Sequence, residues 1–294
     1  MSTYAIANLS GSVGKTTTVI SLAIPLAASG LTVRVIDLDP QANLSTLLGY
    51  PATSGITTAD VLRDNAGIDA AERPARVRVD IDPQTGEPIY SDDPDSFIPN
   101  LTVVPASRGS LDKVMVELSS AGIGGSMRLR DALEQAKPAD VTLIDSPGFN
   151  SALVTNALIA TSVDEGGPDG SWGLITCTKP AGKEAEGVQA LLGELATISK
   201  VMRIDIPLLA IVPCAVPSKG RAAVYAEQLK DLEDGFGKRV TPLVRHSTIV
   251  DEAYSSYVPV PMFGYRAKRI HQDYEAVLRH LKSLGIFRRA RVHA

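Results

Sequence analysis

The chain has 294 residues, 44% of them hydrophobic and 21% charged, which is enough apolar material for a large core and excludes global disorder. Its formal net charge of −4 excludes a uniformly basic nucleic-acid binder, because phosphate contacts need clustered Lys and Arg. The two cysteines, Cys177 and Cys214, form neither a disulfide framework nor a metal-ligand spacing, so a reducing cytoplasm is expected. No signal peptide is expected, and no apolar run approaches the length needed to span a bilayer.

Short Val/Ile/Leu-rich runs at residues 4–9, 33–37, 101–105, 141–145, 173–178 and 208–212 predict strands buried on both faces. Helical patterns lie between them at 15–29, 129–136, 152–161, 184–199 and 222–232, with a kink expected at Pro25. Strand-helix-strand repetition of this kind predicts an α/β fold: a doubly wound, mostly parallel sheet with helices on both faces, formed by residues 1–294 as one domain. Residues 60–100 break the rhythm with ten acidic and four basic residues. Within them, 64–100 reads as an acidic surface insertion, with a hairpin formed by 77–81 and 89–90 around the turn-rich stretch 83–88.

The strongest motif runs from Asn8 to Thr18, between the first strand and the first helix, which is the setting a phosphate-binding loop requires. Gly11 and Gly14 permit close backbone approach, and the amides of Gly11, Ser12, Val13, Gly14, Lys15, Thr16 and Thr17 can converge on phosphate oxygens. Lys15 brings a point charge to the β- and γ-phosphates, Thr16 a hydroxyl for Mg2+, and the helix dipole adds to the anion site. Two further strands end on carboxylates, Asp37 followed by Asp39, and Asp145, which places them at the ligand crevice of an open sheet.

The loop resembles the deviant Walker A motif of the ParA/MinD superfamily, matching it at Gly11, Gly14, Lys15, Thr16 and Thr17. Ser10 stands where that family has its signature lysine, and Ser12 where it has its second glycine. The resemblance implies a P-loop ATPase using ATP and Mg2+ and forming a homodimer on ATP binding. It gives Lys15 and Asp39 catalytic roles, Asp39 orienting the attacking water. Asp145, in a run resembling Walker B, is implied near the metal, with Asp37 placed to hold a metal-bound water. The wording Asp-Leu-Asp-Pro-Gln from Asp37 favours the ParA type. A serine cannot reach across a dimer with a positive charge, so weak turnover is expected. Lys179, Lys183, Lys219 and Arg221 are the candidates to supply the trans cation instead.

Residues 264–294 carry eight Lys/Arg against two acids, a basic C-terminal helix and tail. Ile270, Tyr274, Val277, Leu278 and Leu281 recur at helical spacing and predict a docked face. Arg266, Lys268, Arg269, Arg288, Arg289 and Arg291 are the candidate DNA contacts. The implied function is segregation or positioning of a plasmid, chromosome or other cargo on nucleoid DNA, with a ParB-like or other adaptor stimulating hydrolysis. A MinD-like membrane ATPase, supported by Leu281, Leu284, Ile286 and Phe287 beside arginines, and a metabolic P-loop enzyme are the alternatives.

Overall fold

The computed structural model describes residues 2–51, 55–162, 172–181, 183–217 and 222–287. The first half contains β1 (Ser2–Ile6), α1 (Lys15–Ala28), β2 (Val33–Asp37), α2 (Asn43–Leu47), α3 (Thr58–Leu62) and α4 (Ile68–Ala71). It continues through β3 (Arg73–Arg76), β4 (Asp80–Ile81), β5 (Pro88–Ile89), β6 (Phe97–Val104), α5 (Ser110–Ser120) and α6 (Gly122–Glu134). The second half contains β7 (Val141–Asp145), α7 (Ala152–Ile159), β8 (Trp172–Thr178), α8 (Lys183–Met202) and β9 (Leu208–Pro213). It closes with α9 (Ala222–Phe236), α10 (Ile249–Ser255) and α11 (Lys268–Ser283).

Apolar residues that alternate along each strand feed two different cores, which is why the strands sit inside rather than on an open face. Tyr4, Ile6, Val33, Val35, Val141 and Leu143 face one core with α1 and α11. Ala5, Ile36 and Ile144 face the other, with α3, α5, α6 and α7. The result is a seven-stranded sheet in the order β3-β6-β2-β7-β1-β8-β9, parallel except for β3, which runs antiparallel along β6. Right-handed crossovers of this kind put every parallel strand's C-terminal end on one edge, and that edge carries the ligand crevice.

Several expectations shift in detail. The α1 helix passes through Pro25 and ends three residues later at Ala28, because the missing amide falls in its last turn. Within residues 64–100, β4 and β5 form the small hairpin, while β3 joins the main sheet instead of standing off it. The segment is tied down by Arg76, stacked 4.6 Å from the Tyr50 ring and 5.5 Å from the Tyr90 ring. Arg34, 2% exposed, is held by a two-point ion pair with Glu72, at 2.9 and 2.8 Å.

Candidate nucleotide site

The loop between β1 and α1 is shaped by residues that sequence spacing does not connect. Asn8 is buried and donates to the Cys177 carbonyl at 2.7 Å, while its Oδ1 accepts the Ser10 amide at 2.8 Å. That pins the loop's entry to β8. Gly14 adopts φ +92° as the residue capping α1, a conformation that glycine takes without steric cost. Ser12 is also left-handed, at φ +55°, so the position where the family has glycine does demand that conformation.

Two close approaches hold the loop from outside. A Cβ on Gly148, three residues past Asp145, would lie 2.6 Å from Gly11 Cα, so the segment after β7 rests directly on the loop. A Cβ on Gly187 of α8 would lie 2.5 Å from Ser10 Oγ. The Ser10 side chain therefore packs against a helix of its own chain. The contacts of these two glycines and of Asn8 are not legible in the sequence, since each is made with a partner remote along the chain.

The charged groups converge at the strand ends. Asp37 and Asp145 are register partners on adjacent parallel strands, and both are fully buried. Thr16 donates its hydroxyl to Asp145 Oδ2 at 2.6 Å, whereas the buried Asp145 Oδ1 has no hydrogen-bond partner among the described residues. Lys15, 6% exposed, donates to the Ser10 carbonyl at 3.0 Å. Burial pulls the Lys15 ammonium below its ordinary range, opposed by Asp145, Cys177 and Asp39. Burial likewise raises Asp145 well above the carboxylate range, with Asp37 adding to the rise and the Thr16 hydrogen bond opposing it. Asp39 is half-buried and raised by burial, against the Gln41 amide and Lys15.

Asp37 is engaged by donors of its own chain. Its Oδ1 accepts the Asp39 amide at 3.0 Å, and its Oδ2 accepts both the amide and the hydroxyl of Ser45, at 2.9 and 2.6 Å. A fully buried carboxylate needs donors, and the start of α2 supplies two of them. Burial lifts its carboxyl to about 6 even so, with those three bonds pulling it back.

The residues present fit Mg·ATP. An unpaired buried carboxylate oxygen is costly, and a hydrated Mg2+ beside the Thr16 hydroxyl would satisfy Asp145 Oδ1. Held there by Thr16 and Asp145, Mg2+ would supply positive charge to offset that of the phosphates. Gly11 faces open space on its side-chain side. Thr17 is half-buried and Val13 buried.

The remaining candidates are dispersed. Lys179 is half-buried just past β8, and Lys183 opens α8, with its side chain outside the described residues. Lys219, Arg221, Arg288, Arg289 and Arg291 lie outside them entirely. Lys268 and Arg269 are exposed at the start of α11, while Arg266 is paired with Glu252 at 2.6 Å. Leu281, Ile286 and Phe287 are buried, Phe287 packing edge-on against Tyr4, so the apolar residues that favoured a membrane-surface helix belong to the core.

A strand, a glycine-turned loop capping a helix, and acidic ends on neighbouring parallel strands define a P-loop nucleoside triphosphatase. A family profile described as an AAA domain matches residues 1–206. The chain is 33% identical over 269 residues to the chromosome partitioning protein ParA of Caulobacter vibrioides, spanning 89% of this chain and 87% of that one. The ATP complex of an McdA variant from Cyanothece superposes over 99% of both chains with a TM-score of 0.75 at 20% identity. Cobyrinic acid a,c-diamide synthase from Mycobacterium smegmatis, with bound ADP and magnesium, covers 96% of each chain at 25% identity and a TM-score of 0.66. The chain belongs to the ParA-type partitioning ATPases of the ParA/MinD superfamily, and its cofactors are ATP and Mg2+.

Proposed function

We propose that the ATP-bound chain pairs with a second copy of itself, binds DNA without sequence preference, and releases both on hydrolysis, so segregating or positioning a plasmid, chromosome or other cargo. One observation carries this reading: the basic C-terminal helix is docked on the helix that bears Lys15 and Thr16. Tyr274 of α11 and Thr18 of α1 lie hydroxyl to hydroxyl at 3.1 Å in the core. The opposite face of α11 leaves Lys268, Arg269, Arg279 and Lys282 exposed. A phosphate footprint needs only such a patch. The tail arginines Arg288, Arg289 and Arg291 would extend it.

In this reading Lys15 and the loop amides hold the phosphates, Thr16 and Asp145 hold the Mg2+ site, and Asp39 orients water for attack. Hydrolysis depends on Mg2+ and is slow alone, because Ser10 brings no charge to the partner's phosphates. A ParB-like or other adaptor would accelerate it. Lys179, Lys183, Lys219 or Arg221 of one copy would supply the missing cation to the other. Sedimentation with a non-hydrolysable ATP analogue tests the pairing: wild type becomes a dimer, and alanine at the residue supplying the cation leaves it monomeric. A wild-type protein that stays monomeric contradicts the proposal, and four alanine variants that all dimerise remove these candidates.

A further inference from the structure

Three segments meet behind the Asp39 turn at a single serine. The Ser45 hydroxyl donates to Asp37 Oδ2 at 2.6 Å and accepts the Ala106 amide at 2.8 Å. The Ser45 amide donates to the same Asp37 oxygen at 2.9 Å, and the other Asp37 oxygen accepts the Asp39 amide at 3.0 Å. Ser45, Asp37 and Ala106 are all 0% exposed, so water cannot stand in for any of these partners.

The sequence of α2 makes the arrangement necessary. Ala42, at the helix N-cap, has no side-chain oxygen, so the first-turn amide of Ser45 finds its acceptor on the β2 carboxylate. The turn itself has few other holds. The Gln41 amide donates to Asp39 Oδ1 at 2.9 Å, the Ala42 amide to the Asp39 carbonyl at 2.8 Å, and the Gly109 amide to the Pro40 carbonyl at 3.0 Å. Among the described residues, only the Asp37 bond grips the backbone of Asp39 from the sheet. The Ala106 amide and the Ser45 hydroxyl thus donate in series to one oxygen of the Asp37 carboxylate, the first bond polarising the second, while the Asp39 amide donates to the other oxygen.

We propose that Ser45 is a positioning residue for ATP hydrolysis: it fixes the Asp37 carboxylate, which fixes the Asp39 backbone, which sets where the Asp39 carboxylate meets the attacking water. This rests on Asp39 as the water-orienting group. Without the Ser45 hydroxyl, Asp37 keeps the amides of Ser45 and Asp39 but loses its shortest bond, the Ala106 amide is orphaned, and the turn loosens. Ser45 touches no phosphate through this network, so the loss falls on the chemical step and spares nucleotide binding.

Single-turnover ATP hydrolysis with saturating Mg2+, a binding titration with a fluorescent ATP analogue, and a thermal melt separate the possibilities across wild type, Ser45→Ala, Ser45→Thr, Asp37→Asn and Asp39→Ala. Ser45→Ala is expected to hydrolyse on the order of ten- to a hundredfold more slowly, as for a misplaced catalytic group. Its nucleotide affinity should stay within about twofold of wild type, the mark of an interaction used only in the reaction step. Ser45→Thr, which keeps the hydroxyl, should recover most of the rate. Asp37→Asn should show the same split between rate and affinity, and it decides the matter if Ser45→Ala does not fold. Normal hydrolysis in Ser45→Ala beside a dead Asp39→Ala overturns the Ser45 assignment alone. Normal hydrolysis in Asp39→Ala overturns the role of Asp39 itself. Equal losses of rate and affinity, with no recovery by threonine, show a structural part only and also overturn the proposal.

Discussion

The charges at the strand ends and those on α11 obey different physics. Lys15, Asp37 and Asp145 are buried, their positions fixed by named donors and acceptors at 2.6–3.0 Å. Lys268, Arg269, Arg279 and Lys282 face solvent on a helix held by its opposite, apolar side. Each buried charge has an individual geometric task that no neighbour can assume. The exposed ones act together through a field that salt screens, so no single residue among them is decisive.

The sharpest break in that contrast comes from Lys15→Ala. Removing a charge from a phosphoryl-transfer site costs roughly three to five powers of ten in rate, and hydrolysis should fall below detection in a steady-state assay. Ion pairs sharpen the contrast next. Glu72→Ala leaves the 2%-exposed Arg34 with the Lys137 carbonyl at 2.9 Å and the more distant Asp69 at 3.8 Å, and should cost about 3 kcal/mol by denaturant titration, as for a broken buried pair. Glu252→Ala, breaking the exposed pair with Arg266, should cost about 0.5 kcal/mol or less. Similar losses for the two variants would erase the distinction.

A smaller effect follows from the buried carboxylates. Burial raises Asp37 to about 6 and Asp145 well above the ordinary 3.8. Between those values the folded chain holds protons that the unfolded chain has released, so the stability these groups contribute falls as pH rises through the window. The nucleotide-free protein should therefore lose melting temperature from about pH 4 to about pH 6, and Asp145→Asn should flatten that slope. An unchanged slope in the variant would rule out Asp145 as its source. The smallest effect is at Ser12, whose left-handed backbone strains a serine by roughly 1 kcal/mol. Ser12→Gly should be stabilising by up to that amount in a thermal melt, less the entropy that glycine adds to the unfolded chain.

How far the sequence carries depends on whether a feature is local. The strands β2 and β7 end where the residue pattern says they do, because an unbroken apolar run stops at an aspartate. The β1 strand ends at Ile6 rather than at residue 9, since the chain leaves the sheet to let Asn8 reach Cys177. The start of α6 is hidden by Gly122, Gly124 and Gly125, which have poor helix propensity. Packing overrides that at Gly125, where a Cβ would lie 2.3 Å from the Leu118 carbonyl and the Asn156 side chain donates to the glycine's own carbonyl. β3 is four polar or small residues including Pro74, and only its place on the edge beside β6 makes it a strand. At the site, the loop, Asp39 and Asp145 are legible because motif spacing is local. The Asp37–Ser45–Ala106 chain is not, because the donors that claim Asp37 become apparent only when the turn is folded.

DNA affinity measured against salt concentration, with ATP and with ADP, tests the central claim that the nucleotide site governs the basic face. Wild type with ATP should bind any sequence, with log affinity falling linearly in log salt, and binding should weaken sharply with ADP. Reversing Lys268 and Arg269 to glutamate should lower the slope by about one for each phosphate that is no longer neutralised. DNA binding of equal strength with ATP, with ADP and in Lys15→Ala would contradict the claim.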